Sequence, residues 1–361
     1  MRHNCRERRI GKKSNTRADA IRLDGPIVRL TARAMKQTAA DLPVHSYQRK
    51  AAIVSGGIAD YADKAYVRPI KDFDLNRTIF NTLEGNLPRA VIQTRIAKEV
   101  TWDGDASREL DARYEKKSAT KNLPPIDKKL LQFMKDECDF DVEHADGSFL
   151  DHLFFCYEYT HYYFPKHSAL VMLLHSILGT GTNTFAMPKE KIPQLKPLMS
   201  EFEWKHVEAF PSVLRLLYAA DILQQLEKNP EKMQNLKEVK FHRVIDNAPI
   251  TMSAEDFWIQ LNYQIIHLTD FIPVSNWSAH SNDSSFILFR KLYKFLTATG
   301  KLEAQIGYEP PPFFATVKNE ELPVAGWLLT LLPSALGELM TAQSIRRFSA
   351  KIGHDLAYEL V

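Results

Sequence analysis

The chain has 361 residues, of which 45% are hydrophobic and 25% charged, and its formal net charge is +3. These proportions are those of a globular protein rather than a low-complexity or collagen-like one, and the length leaves room for one large domain or two small ones whose core needs no staples. Residues 1–50 carry 13 Lys and Arg against 4 Asp and Glu, which leaves the remainder mildly acidic and argues against a nucleic-acid-binding body, which would need a basic face for phosphates.

Residues 1–20 form an Arg-rich leader, expected to be disordered, with an organelle-targeting segment as the alternative reading. They lack the apolar core of a secretory signal. The three cysteines, Cys5, Cys138 and Cys156, form no CxxC pair and suggest no disulfide framework. No apolar run reaches the ~18–20 residues of a membrane span. The expected setting is intracellular and cytoplasmic.

Residues 21–125 read as an N-terminal extension of mixed, partly irregular character. It has weak helical character at Ile27–Ala40, turn signals at Ser55-Gly56-Gly57, Glu84-Gly85-Asn86 and Asp103-Gly104-Asp105, and a densely charged stretch, Arg108–Lys121, that fits a solvated helix or linker. Leu123-Pro124-Pro125 marks a boundary.

From residue 126 to 361 the pattern is helical, and the body is expected to be an all-α bundle with additional C-terminal helices. Leu130, Leu131, Phe133 and Met134 make an amphipathic stripe. Ser148 reads as the N-cap of a helix over Phe149–Phe164, closed by Pro165. The next helix, Ser168–Leu178, is apolar nearly all round and stops at Gly179-Thr180-Gly181-Thr182-Asn183. Helices are expected at Lys189–Met199, Trp204–Leu226 with a kink or break at Pro211, Ala254–Thr269, Ser285–Thr299 and Leu322–Glu359, with Gly307–Pro312 extended. The aromatic cluster from Phe154 to Phe164 and Cys156 read as core, and His161 and His167 as surface or capping residues.

Each of two apolar helices carries a histidine. Asp151-His152-Leu153 opens one, and Leu174-His175-Ser176 ends the next, 23 residues on. An antiparallel pair joined by a short turn brings these positions face to face. A buried imidazole needs partners for both ring nitrogens, so the pair points to a shared ligand: a metal ion, an anion or water. Either histidine alone fits an ordinary hydrogen-bonded core residue. His267 and Asp270 share a helical face at i, i+3, and Asp221 is the rival carboxylate.

Asp151-His152-Leu153, His175-Ser176, Gly179-Thr180 and Pro310-Pro311-Pro312-Phe313 resemble the HD-domain superfamily, most of all a subgroup with His-Ser where HD proteins have His-Asp. The resemblance covers Asp127–Phe314. It implies an HD-like helical bundle with a divalent metal ion (Fe, Mn or Zn) held by His152, His175 and Asp270. Ser176 and Thr180 are the hydroxyl residues on the catalytic side of such a site. The implied activity is that of a metal-dependent hydrolase or oxygenase on a small polar substrate, with no nucleic-acid partner. Ser176 replaces the anionic ligand that would bridge two metals. The alternative is therefore a binding or regulatory module on a scaffold that has lost its metals.

Overall fold

A computed structural model describes residues 45–58, 104–138, 143–144, 147–181, 186–219, 221–271, 284–308 and 333–361. The expected leader, the Ile27–Ala40 helix, Thr182-Asn183 and the Pro310–Phe313 motif lie outside these residues. The protein is mostly helical with a small three-stranded sheet. No helix among the described residues is long and apolar enough to cross a membrane.

Helix α1 (Tyr47–Ser55) starts at a Ser46 cap and ends on Gly56, which takes the left-handed conformation with φ 73°. The Gly56 and Gly57 backbone lies against the Tyr163 ring and against Gly307. A Cβ on Gly56 would meet the Tyr163 ring at 2.8 Å, and one on Gly57 would meet the Gly307 carbonyl at 2.2 Å. Only glycine permits this approach. Helix α2 (Gly104–Thr120) is largely exposed, as its charge suggests, but buries Leu110. Helix α3 (Lys128–Glu137) is capped by the Asp127 carboxylate, which accepts from the backbone N–H groups of Lys129 and Leu130 at 2.7 and 3.2 Å, and it buries the expected stripe.

Strands β1 (Glu143–His144) and β2 (Gly147–Ser148) form a minimal antiparallel ribbon. It leads straight into α4 (Phe149–Tyr163), which is buried on nearly every side. Helix α5 is shorter than expected: regular turns run only over Leu170–Leu174. Beyond it the chain tightens into i→i+3 bonds, from Ile177 N–H to the Leu174 carbonyl at 2.9 Å and from Gly179 N–H to Ser176 at 3.1 Å.

The expected Lys189–Met199 helix is broken into α6 (Ile192–Leu195) between two 3₁₀ turns, because Pro193 and Pro197 remove two donors within five residues. Helix α7 (Glu201–Ala219) passes through Pro211 without ending there, and Gln264 donates to the Phe210 carbonyl beside it. The break comes instead before Asp221, where α8 (Ile222–Lys228) and α9 (Pro230–Gln234) follow. Strands β3 (Glu238–His242) and β4 (Pro249–Ser253) make a hairpin that the all-α reading omitted. Val239, Phe241, Ile250 and Met252 point inward on alternate positions. Helix α10 (Ala254–Phe271) starts at Ser253, whose hydroxyl accepts from Asp256 N–H at 3.1 Å. Helices α11 (Ser284–Ala298) and α12 (Ser334–Ile352) and strand β5 (Glu359–Leu360) complete the body, with sheet order β4-β3-β5.

The core is continuous. Ala52 and Ile53 of α1 belong to the same buried cluster as Phe155 of α4, Leu173 of α5, Phe210 of α7 and Leu268 of α10. Full burial of each such large apolar side chain contributes about 1.5–3 kcal/mol. The N-terminal helix is thus packed into the bundle, across the boundary that the prolines at 124–125 suggest. Helices α4, α5 and α10 meet at its centre, and there the histidines lie.

Candidate metal centre

His152 sits one turn into α4 and His175 just beyond the end of α5, so the short turn between the helices brings the two rings together. Their centroids are 5.0 Å apart and their Nε2 atoms 3.1 Å apart. His267 of α10 adds a third ring, 5.0 Å from His152 and 4.9 Å from His175. Phe210 and Phe271 flank the triangle. His152 and His175 are 1% and 0% exposed.

The far side of each imidazole is fixed. His175 Nδ1 lies 2.7 Å from the Met172 carbonyl oxygen. A carbonyl only accepts, so His175 Nδ1 carries hydrogen and the lone pair sits on Nε2. His152 Nδ1 donates to Asp270 Oδ2 at 2.5 Å, which aims its Nε2 at that of His175. Arg49 in turn donates to Asp270 Oδ1 through Nε at 2.7 Å and to Oδ2 through a terminal nitrogen at 3.0 Å. The clasp is fully buried, with 1% and 0% side-chain exposure for Arg49 and Asp270.

These contacts set the electrostatics. Burial raises the Asp270 carboxyl, but the Arg49 charge and the His152 hydrogen bond outweigh it and hold the group well below the ordinary carboxylate range. Burial, joined by the neighbouring His152, pushes His175 well below the usual histidine value, so it stays neutral. Two neutral imidazoles with both Nδ1 positions hydrogenated would point lone pairs at each other across 3.1 Å. A cation held by both nitrogens would relieve that repulsion.

One turn along α4, Cys156 brings its sulfur to 3.8 Å from His152 Nδ1 and 4.0 Å from Nε2. Ligand atoms of His152, Cys156 and His175 lie within 4.8 Å of one another, so this buried group could hold a metal ion. Two nitrogens sharing a tetrahedral zinc at ~2.0–2.1 Å stand about 3.3 Å apart, close to what is found. Burial, then the Asp270 charge, raises the Cys156 thiol well above its ordinary value.

Of the residues singled out in the sequence, His152, His175 and Asp270 come together, with Asp270 behind His152 rather than beside the facing Nε2 edges. Ser176 and Thr180 are buried on the turn that follows His175, and Arg215 Nε donates to the Thr180 carbonyl at 3.2 Å. Asp221 is exposed at the start of α8. Sequence reasoning missed Arg49 and the part Cys156 can take. The i, i+4 spacing of His152 and Cys156 on one helical face was a usable signal. Nothing local marks Arg49.

No family model matches the chain, and neither the curated proteins nor the solved structures include one similar to it at a significant level.

Proposed function

We propose that this is an HD-like helical protein that holds a divalent metal ion at His152 and His175 and acts as a metal-dependent hydrolase or oxygenase on a small polar substrate. The observation that carries the reading is the 3.1 Å approach of two Nε2 atoms whose Nδ1 positions are both committed to acceptors. A histidine that donates from one nitrogen to a carboxylate or carbonyl and presents the other is the usual form of a metal-ligating imidazole. Bound there, a metal supplies a Lewis acid at the buried imidazole edge. The chain's own residues do the rest. Asp270 holds the proton at His152 Nδ1, the Met172 carbonyl holds that at His175 Nδ1, Arg49 keeps Asp270 ionised and fixed, and Phe210 and Phe271 exclude water.

The second reading is a metal-free scaffold that binds or regulates. The near-complete burial of both rings and the serine at 176 favour it. His152 then shares a proton with His175, balanced by Asp270. Elemental analysis of protein purified without chelator separates the two. The metal-centre reading expects near-stoichiometric zinc, iron or manganese in the wild type and its loss in His175→Ala. Metal-free, well-folded wild type would overturn it and leave the scaffold.

A further inference from the structure

Resting on the metal-centre reading, we infer that the third donor is the sulfur of Cys156, so that the site takes a borderline-soft cation such as zinc through two imidazoles and one thiolate. The HD resemblance assigns a carboxylate to this role, and the geometry withholds it. Both oxygens of Asp270 are occupied, one by Arg49 and the other by Arg49 and His152. Turning the carboxylate toward the Nε2 edges would release His152 Nδ1 and break both of its bonds to the buried Arg49 guanidinium.

Among the described residues, the ligand atoms gathered within 4.8 Å belong to His152, Cys156 and His175. The sulfur lies 4.0 Å from His152 Nε2. Nitrogen and sulfur on a common tetrahedral zinc stand about 3.5 Å apart, about half an ångström closer than this. On binding, the S–H bond of Cys156 gives way to a sulfur–metal bond and its proton passes to solvent. No electrons change hands. Thiolate with imidazole suits zinc, copper and iron, and it selects against magnesium and manganese, which want oxygen. Cys156 thereby narrows the metal and explains how a chain with serine at 176 keeps a site.

Cobalt titration of the full-length, metal-depleted chain tests this. Thiolate-bound Co²⁺ gives a near-ultraviolet sulfur-to-metal band that nitrogen and oxygen ligands do not. The wild type is expected to show that band together with visible d–d bands. Cys156→Ser and Cys156→Ala are expected to lose the near-ultraviolet band while His152 and His175 still give visible bands. Cobalt binding by the wild type without the near-ultraviolet band would overturn the thiolate assignment alone. No cobalt binding by well-folded wild type would overturn the metal centre itself.

Discussion

Helix α4 carries two buried histidine–carboxylate clusters, and they are built for different work. At its start, His152 meets Asp270, and Arg49 of α1 clasps that carboxylate. In its second half, Glu158 meets His45 Nε2 at 2.6 Å and the Tyr114 hydroxyl at 3.0 Å. Both clusters are closed by a residue from the segment that forms or precedes α1, and both are buried. In the second, the partners converge on a carboxylate. Burial, then the Glu158 charge, raises the Tyr114 hydroxyl, so it stays protonated and donates. The result is a fastening at the carboxylate, while the far nitrogen of the histidine ring, His45 Nδ1, is buried with no hydrogen-bond partner among the described residues. In the first, the carboxylate is satisfied from behind and two imidazole nitrogens are left facing each other. A buried histidine beside an acid is therefore no sign of a site. What matters is whether lone pairs remain pointed at a common place once every hydrogen has been assigned.

The comparison breaks most visibly at Asp270. Asp270→Ala takes the Asp270 carboxylate away from the buried Arg49 guanidinium, and removing one member of such a pair costs about 3–5 kcal/mol. Urea unfolding should show that loss. The double variant Arg49→Met/Asp270→Leu should recover most of it, because the charge goes with its partner. Recovery would separate the clasp's stability from the metal, which the double variant should still bind more weakly.

His206 sharpens the comparison from a third direction. It is 0% exposed, its Nδ1 donates to Gln260 at 2.9 Å, and its nearest carboxylate, Asp256, stands 3.6 Å away. Burial wins here and lowers it to about 4 from the ordinary 6.5. Above pH 6.5 both folded and unfolded chains hold it neutral. Between 6.5 and 4 the unfolded chain takes up a proton that the folded one refuses, so stability falls across that window, by on the order of 3 kcal/mol. Denaturation at stepped pH should show this slope flattened in His206→Gln. An unchanged profile would mean that another group sets it.

The smallest effect is expected at the second cluster. Glu158→Gln keeps the shape and loses the charge-assisted bond, at about 1–3 kcal/mol. Its metal content should match the wild type, whereas His175→Ala should lose metal. Equal metal loss in both would erase the distinction between fastening and site.

Legibility followed the range of the forces involved. The ends of α4 and α11 fall within a residue of their expected places, and at α4 the closing Pro165 acts locally. The β3–β4 hairpin was missed although Val239/Phe241 and Ile250/Met252 alternate, because five-residue strands carrying Glu238, Lys240 and His242 give a weak signal beside long helices. Pro211 is expected to kink or divide its helix and does not divide it; its turn is packed against α10, where Gln264 donates to the Phe210 carbonyl. The approach of His152 to His175 could be read from two helices and a turn. The task given to Asp270 could not, for it depends on Arg49, and Cys156 looked like filling until its distance to the His152 ring was known.

The Arg49–Asp270 clasp joins positions 221 residues apart. During synthesis the first exists long before the second. A nascent chain that has made α1, α4 and α5 already owns His152, His175 and Cys156, yet it has no acceptor to set the His152 tautomer until α10 leaves the ribosome. Closing so long a loop is entropically unfavourable and comes late. The order of assembly therefore leaves His152 Nδ1 without this particular acceptor on every chain that has not yet made α10.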